Sequence, residues 1–442
     1  MRGYFLGLII TFIIAGNIFC LDEFVARDIK NYVEAGKQDY KNKKYNSAVA
    51  NFKKAYDLSP DSPELKYNLS RAYIGQAVEK KDKGDVESAR KLLKDAINLV
   101  DNMVDARVFL ASIYLNEGDY VSSKGELEIA KIYDADNPAI YIMLGEIYFQ
   151  QGDPANAIKY WDNSITNPSN NISLSKKLAR AKREWIIQKN FVSKTSHPFR
   201  LMYGKNYAGF ADRVLKILKS AYADIGQKLD YYPLNEVIVI IYEADEFFEA
   251  TSAKGPVASL YDGKIRIRLS PKLNNDQYLK SIVYHEYTHV LVRYLTNDNC
   301  PFWLNEGLAQ VFSEPVTKLD LTTVSNLELE SDLFSLKLLE NFEGDNKWID
   351  YDIGLNKSIR LAYIKSLIST SYILKNYGLE SCIDILNDLK HKKSIDNCVK
   401  KRLNISINEL DVRVQKRISE VKDKLIAQLE NSRSIKKEDK VK

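Results

Sequence analysis

The stretch His285-Glu286-Tyr287-Thr288-His289 decides how the second half of this chain is interpreted. The protein has only four histidines, and two of them stand four positions apart here. Positions i and i+4 share one face of a helix, so both imidazoles can converge on a single point. Apolar residues flank the motif without an intervening proline, which predicts a helix. Two imidazoles on one helix face favour a zinc site, with Glu286 available as a general base.

A catalytic zinc site with two histidines needs a third protein ligand. The segment Trp303-Leu304-Asn305-Glu306-Gly307-Leu308-Ala309 offers Glu306, with sixteen residues between it and His289. The residues around this glutamate are mostly apolar, and a carboxylate among them is costly to bury unless another charge compensates it. A metal ion would supply that charge. His285, His289 and Glu306 are therefore predicted to hold one Zn2+ ion.

These motifs resemble the gluzincin superfamily of metallopeptidases, and within it the peptidase MA-like domain that occurs behind helical repeats in exported bacterial proteins. The resemblance covers roughly residues 195–430. It includes segments that look like strands and a downstream helix, namely residues 199–201, 237–242, 259–269 and 362–378. The resemblance implies an α+β thermolysin-like (gluzincin) zinc peptidase domain, with strands before the metal helix and helices after it.

The resemblance also implies a role for each motif residue. His285, His289 and Glu306 would be the zinc ligands. Glu286 would be the general base that takes a proton from a zinc-activated water molecule. A tyrosine or histidine from a later helix often donates to the oxyanion in these enzymes, and Tyr363 is the residue we place there. The chain has 28 tyrosines, so a packing role for Tyr363 is an equally good interpretation.

Two features depart from the aminopeptidases of this superfamily. The connection from His289 to Glu306 is slightly shorter, and the short part falls in residues 296–301. Residues 257–261 lack the glutamate with which those enzymes hold the free amine of a substrate. This disfavours an N-terminal exopeptidase. It favours an endopeptidase in which an extended peptide adds beside the strand at residues 265–269 through backbone hydrogen bonds.

The front half of the chain shows repeats of 34 residues, the period of tetratricopeptide helix-turn-helix units. Small and aromatic residues recur at matched offsets: Gly36, Ala48, Phe52, Ala55 and Pro60 match Gly145, Ala157, Trp161, Ser164 and Pro168. A second unit is predicted to have an inter-helix turn expanded by residues 80–85. About four units over residues 22–171 would form an all-α solenoid, followed by a capping helix and linker at 172–194. Its concave surface would bind substrate or a protein partner, or the array would act as a spacer.

The N-terminus has the pattern of a secretory signal peptide over residues 1–21. Arg2 precedes an apolar run at residues 6–14, and small residues follow it. The run is near the lower limit for spanning a membrane, so an uncleaved signal anchor stays open as the route of membrane contact. Cys20 also raises a lipoprotein interpretation, although Phe19 is bulkier than lipoprotein signals use. Each alternative predicts export to the periplasm or cell envelope, with the protein either membrane-anchored or secreted.

Charge and cysteine content add further bounds. The chain has 64 basic and 59 acidic residues with a net charge of +5, which indicates a solvated surface rather than a nucleic-acid-binding one. The basic tail, residues 433–442, is predicted to be disordered, so the peptidase domain would occupy residues 195–432. Export would permit one disulfide, and Cys382 with Cys398 is the natural pair in the C-terminal helical region.

The sequence therefore predicts an exported zinc-dependent metallopeptidase, an endopeptidase that acts on a peptide or protein substrate, with repeats that bind substrate or partner proteins. Two alternatives of other classes remain open. One is a non-catalytic or weakly catalytic interaction scaffold of the cell envelope. The other is a metal-dependent hydrolase of a non-peptide amide or ester.

Overall fold

The structure is a computed structural model. It describes residues 23–164, 172–233, 235–252, 259–313, 335–341, 354–391 and 393–420. The predicted signal segment, Cys20, Pro168 and the basic tail lie outside these ranges. The chain divides into two compact units, Met1–Leu144 and Gly145–Lys442. Within the described ranges, no helix has the length and apolar character needed to cross a membrane.

The first unit is built from consecutive helices joined by short turns. They are α1 (residues 23–41), α2 (Tyr45–Leu58), α3 (Pro63–Asp82), α4 (Val86–Leu99), α5 (Val104–Asn116) and α6 (Tyr120–Tyr133), and the unit ends within α7 (Pro138–Gln150). A glycine with left-handed backbone recurs in the turns at Gly84, Gly118 and Gly152, which are 34 residues apart. The sequence period is therefore the period of a structural turn that favours glycine.

The second helix pair differs from the prediction. Its helix α3 has 20 residues, whereas α5 and α7 have 13 each. The additional residues lengthen α3 by about two turns, and the turn at Gly84 resembles the others, so the prediction of an expanded turn over residues 80–85 is wrong. Lys80 and Lys81 lie in the last turn of α3, where cations interact favourably with the helix dipole. This charged run therefore extends the helix.

Glycines and aromatic rings at the matched positions pack against each other. A Cβ atom at Gly36 would lie 2.8 Å from the Phe52 ring, and one at Gly145 would lie 2.4 Å from the Trp161 ring. In the first and in the last helix pair, a glycine on one helix therefore allows close contact with an aromatic ring on the next. This confirms that the two sites are structurally equivalent.

The second unit contains the end of α7, helices α8 (Pro154–Ser164) and α9 (Ile172–Gln188), and a small mixed sheet. The strands are β1 (Val192–Ser196), β2 (Phe199–Tyr203), β3 (Val237–Tyr242), β4 (Ser259–Tyr261) and β5 (Ile265–Arg268), in the order β1-β2-β3-β5-β4. The pairs β2–β3 and β3–β5 are parallel, and the outer pairs are antiparallel. Within the described residues, every strand precedes the helix that carries the metal motif, as predicted.

Helices cover both faces of this sheet. Helix α10 (Ala208–Leu229) joins β2 to β3, and α11 (Ala244–Thr251) follows β3. All six residues of β3 are buried. Val239 faces a core shared with α10 and α12, while Ile240 faces a second core with α9 and α11. The sheet therefore lies between two helical layers.

The C-terminal part is helical in the described residues. Its helices are α12 (Asp276–Thr296), α13 (Phe302–Ser313), α14 (Gly354–Lys390), α15 (Ile395–Leu403) and α16 (residues 407–420). Helix α14 is interrupted at Gly378, whose φ is 83°. The hydroxyl of Ser406 accepts a hydrogen bond from the Glu409 backbone N–H at the start of α16.

The three described cysteines are free thiols. Cys382 and Cys398 are each buried in the large apolar core, so the prediction that they form a disulfide is wrong. Burial raises the pKa of the Cys382 thiol to about 12 and that of Cys398 to about 11. Both thiols are therefore packing groups of low reactivity.

Candidate metal centre

Helix α12 brings the two histidines of the motif together. The side chain of Asn275 caps this helix by accepting from the Tyr278 backbone N–H, 2.9 Å away. One helical turn separates His285 from His289, and their Nε2 atoms lie 3.2 Å apart. The rings are nearly perpendicular, at 87°. The two nitrogens therefore point toward a common position.

A short loop then directs α13 back toward the same position. Asn297 and Asp298 have left-handed backbone conformations that end α12. Asn299 fixes the loop by donating from Nδ2 to the Leu389 carbonyl oxygen over 2.8 Å. Helix α13 begins at Phe302 and carries Glu306 on its second turn. This compact connection accounts for the short spacing seen in the sequence.

The Glu306 carboxylate faces both imidazoles. Its Oε2 lies 3.5 Å from Nε2 of His285, and its Oε1 lies 3.6 Å from Nε2 of His289. In a tetrahedral zinc site with ligand bonds of about 2.0–2.1 Å, neighbouring ligand atoms are about 3.3 Å apart. The observed distances match that spacing, and Oε2 of Glu306 is buried without a hydrogen-bond partner. The three residues therefore fit a zinc ion, and they are the one such group within the described ranges.

Burial and charge act in opposite directions on these groups. Burial lowers the pKa of His285, but the Glu306 and Glu286 carboxylates together raise it by more, so the net shift is upward. Burial raises the pKa of Glu306, but the charges of His289 and His285 outweigh it, so the net shift is downward. The centre therefore favours an ionised carboxylate between two imidazoles.

Asn305 orients one of the imidazoles, a contact that the sequence analysis missed. Its Oδ1 lies 2.9 Å from Nδ1 of His289. An amide oxygen accepts hydrogen bonds, so Nδ1 carries the proton and Nε2 presents its lone pair to the centre. Asn305 is adjacent to Glu306 in the sequence, and this adjacency was the available signal.

Glu286 lies beside the centre on the side of β4. Its side chain is buried, and Oε1 accepts a hydrogen bond of 2.7 Å from the Ser259 hydroxyl. Oε2 is buried and has no hydrogen-bond partner. The contact with Ser259 joins residues 27 positions apart, and no local sequence signal predicted it.

The segment that carries the candidate metal centre matches a known protein family. Residues 242–420 match the family model of the Peptidase MA superfamily. These residues are a Peptidase MA superfamily domain. Residues 138–166, which include α7 and α8, match a tetratricopeptide repeat. The predicted resemblance to a peptidase MA domain preceded by tetratricopeptide repeats is confirmed.

Two solved structures are similar to part of the chain. The MamA protein has 19% identity and a TM-score of 0.30, over 36% of this chain and 83% of that chain. A thermophilic tetratricopeptide-repeat protein from Thermus thermophilus has 20% identity and a TM-score of 0.22, over 35% of this chain and 98% of that chain. No match is found among curated proteins.

In the peptidase MA domain, Tyr363 lies along the helix face that carries Glu306. Its ring packs edge-on against the Phe302 ring, with centroids 5.7 Å apart. Its carbonyl oxygen accepts from Nε2 of Gln310 over 3.0 Å. Phe302, Glu306 and Gln310 are spaced by four residues and share one face of α13. The half-buried Tyr363 therefore packs against α13, the helix that carries Glu306.

The sheet order corrects the predicted path of an extended peptide in the peptidase MA domain. Strand β5, at residues 265–268, pairs with β3 on one edge and with β4 on the other. Both edges of β5 are occupied, so an added strand beside residues 265–269 is ruled out. Among the described strands, β4 is the edge strand next to α12. The strand order depends on long-range pairing, which the local sequence pattern does not contain.

Proposed function

We propose that this protein is an exported zinc-dependent endopeptidase of thermolysin-like mechanism. The superfamily of residues 242–420 indicates a peptidase, and the repeat indicates protein interaction. The observation that carries the proposal is the triangle of His285, His289 and Glu306, whose ligand atoms have the mutual spacing of a tetrahedral zinc site. This geometry supports the roles proposed below for the site residues.

A zinc ion held by these three residues would supply a Lewis acid and lower the pKa of a water molecule. Glu286 would take the proton of the attacking water on its free oxygen and pass it to the leaving amine nitrogen. Asn305 would keep His289 in the tautomer that presents Nε2. Tyr363 would donate to the oxyanion from its position beside the Glu306 face of α13.

The substrate in this proposal is a peptide bound in extended form. Strand β4 lies at the sheet edge, and its first residue contacts Glu286. Backbone hydrogen bonds to an edge strand need no free terminus, which suits an endopeptidase. The tetratricopeptide repeats would hold the substrate protein or a partner, and the N-terminal sequence supports export to the periplasm or cell envelope.

The proposal is tested by comparing the zinc content and peptide cleavage of the purified full chain with those of its Glu286→Gln variant. We expect one zinc ion per wild-type chain and cleavage of an unstructured protein such as casein. The variant should keep its zinc and lose cleavage by at least about 100-fold, because amide nitrogen cannot serve as the base. Glu380→Gln, at an exposed glutamate of α14, is the matched control and should remain active.

Two results would contradict the proposal. One is wild-type protein that binds no zinc. The other is equal cleavage by zinc-loaded wild type and Glu286→Gln. If cleavage is absent in both but a cellular phenotype depends on residues 23–164, the scaffold alternative would replace the enzyme.

A further inference from the structure

The two carboxylate oxygens of Glu286 have different surroundings. Oε1 accepts from the Ser259 hydroxyl at 2.7 Å, and Oε2 has no hydrogen-bond partner although it is buried. The whole residue is 4% exposed. Because Ser259 holds one oxygen, the carboxylate cannot rotate about its last bond without losing a charge-assisted hydrogen bond. The bond therefore fixes which oxygen remains available.

Ser259 is itself held in place by the strand next to it. In the β4–β5 hairpin, Ser259 is opposite the buried residue Ile267. Two residues further on the same face of β4, the Tyr261 ring is within 14° of parallel to the His289 imidazole, with centroids 6.4 Å apart. One face of β4 thus contacts two residues of the metal motif.

Buried charges hold the other side of the hairpin. Glu184 of α9 accepts from Arg266 at 2.8 Å and pairs with Lys264 at 3.2 Å. All three side chains are almost fully buried. Lys264 also donates to the Phe149 carbonyl oxygen over 2.8 Å. The hairpin therefore contacts α9 on one face and α12 on the other.

We propose that Ser259 is a positioning residue for the general base. Its hydroxyl holds Oε1, so that Oε2 is the oxygen that exchanges a proton with water. This inference rests on the proposed function of Glu286. As the water oxygen bonds to the carbonyl carbon, Oε2 takes a water proton. As the C–N bond breaks, Oε2 returns it to the amine nitrogen, and the Ser259 proton stays on its own oxygen.

Threonine and valine provide the sharpest test, because they have nearly the same shape and both suit an edge strand. Ser259→Thr keeps the hydroxyl, and its kcat should stay within about twofold of wild type. Ser259→Val should lower kcat by about tenfold or more, with KM within about twofold, because one hydrogen bond to a charged group is lost. Ser259→Ala should behave like the valine variant.

Two further measurements separate positioning from a structural role. Zinc content, determined without turnover, should equal that of wild type in all three variants, because Ser259 contacts the base and not the predicted ligands. Ser220→Ala, at an exposed serine of α10, is the matched control and should match wild type in kcat and zinc content.

Four results would overturn the inference. Equal kcat for the threonine and valine variants would remove the role of the hydroxyl while leaving the proposed peptidase intact. An effect confined to KM would make Ser259 a substrate contact. Loss of zinc from the valine and alanine variants would make its role structural. Zinc-loaded wild type that cleaves no peptide would overturn both this inference and the proposed function.

Discussion

Glu184 and Arg266 form an ion pair of 2.8 Å in which neither side chain has any solvent exposure. Glu184 belongs to α9, the helix that follows the repeats, and Arg266 belongs to β5 in the sheet beside the metal centre. Arg266 also donates to the Tyr242 hydroxyl over 2.7 Å, and Lys264 shares the Glu184 carboxylate. The Glu184 carboxylate is therefore shared by two buried cations that would otherwise be costly to desolvate, and Asp262 is a second carboxylate partner of Arg266 at 2.9 Å.

Replacing this carboxylate should destabilise the protein strongly. Glu184→Gln leaves Lys264 buried beside a neutral amide and leaves Arg266 with Asp262 as its remaining carboxylate partner. We expect a loss of about 3–5 kcal/mol in the free energy of unfolding. Urea unfolding of the full chain measures it. Glu409→Gln, in an exposed pair with Arg413, is the control and should change stability by at most about 1 kcal/mol. Equal midpoints for the two variants would contradict the role of Glu184.

The advantage of wild type over Glu184→Gln should also depend on pH. Burial raises the pKa of Glu184, but Arg266, Lys264 and Arg180 lower it by more, to about 2 from the ordinary glutamate value of 4.5. The folded-state pKa is below that of the unfolded chain, so this stabilisation is present above pH 4.5 and is lost as pH falls toward 2. Urea midpoints compared across this range should converge at low pH. A difference that stays constant down to pH 2 would contradict the assignment.

Loss of the Asn305 amide should weaken zinc binding. Asn305→Ala removes the acceptor for Nδ1 of His289, and such second-layer contacts typically contribute 10- to 100-fold in metal affinity. Competition with a chromogenic chelator measures the affinity. Asn376→Ala, at an exposed asparagine of α14, should bind zinc like wild type. Unchanged affinity in Asn305→Ala would show that ring orientation is set by packing alone.

Tyr363 has two interpretations that one substitution separates. Tyr363→Phe keeps the ring packed on Phe302 and removes only the hydroxyl. If the hydroxyl donates to the oxyanion, kcat should fall by about 100-fold while zinc content is unchanged. Tyr278→Phe, at an exposed tyrosine of α12, is the control for a lost phenol. Wild-type kcat in Tyr363→Phe would assign this residue to packing.

The parts of the site that lie within one helix could be predicted from the sequence. The spacing of His285 and His289 on one face follows from helix periodicity, and the 34-residue period revealed the repeats. The contacts of Ser259 with Glu286 and of Glu184 with Arg266 could not be predicted in this way. They join residues 27 and 82 positions apart, and they depend on strand order and helix packing that no local pattern contains.

The charged run at residues 80–85 led to a second wrong prediction. Residues 80–85 were predicted to expand an inter-helix turn, yet Lys80 and Lys81 extend α3 because long charged side chains are good helix formers. The cysteine prediction failed for a related reason. Shared membership of a helical region does not specify where each side chain points, and Cys382 and Cys398 each fill apolar space instead of bonding to each other.

The Glu184–Arg266 pair determines where a fragment that contains the peptidase MA domain can begin. The family match begins at residue 242, and the sequence suggested a start at 195, but both cuts discard the helix that supplies the counter-charge. A fragment begun at either point would leave Arg266 with Asp262 as its remaining carboxylate partner and Lys264 without the Glu184 carboxylate. We therefore expect a stable fragment to include α9 as well as the sheet, and to start before Ile172.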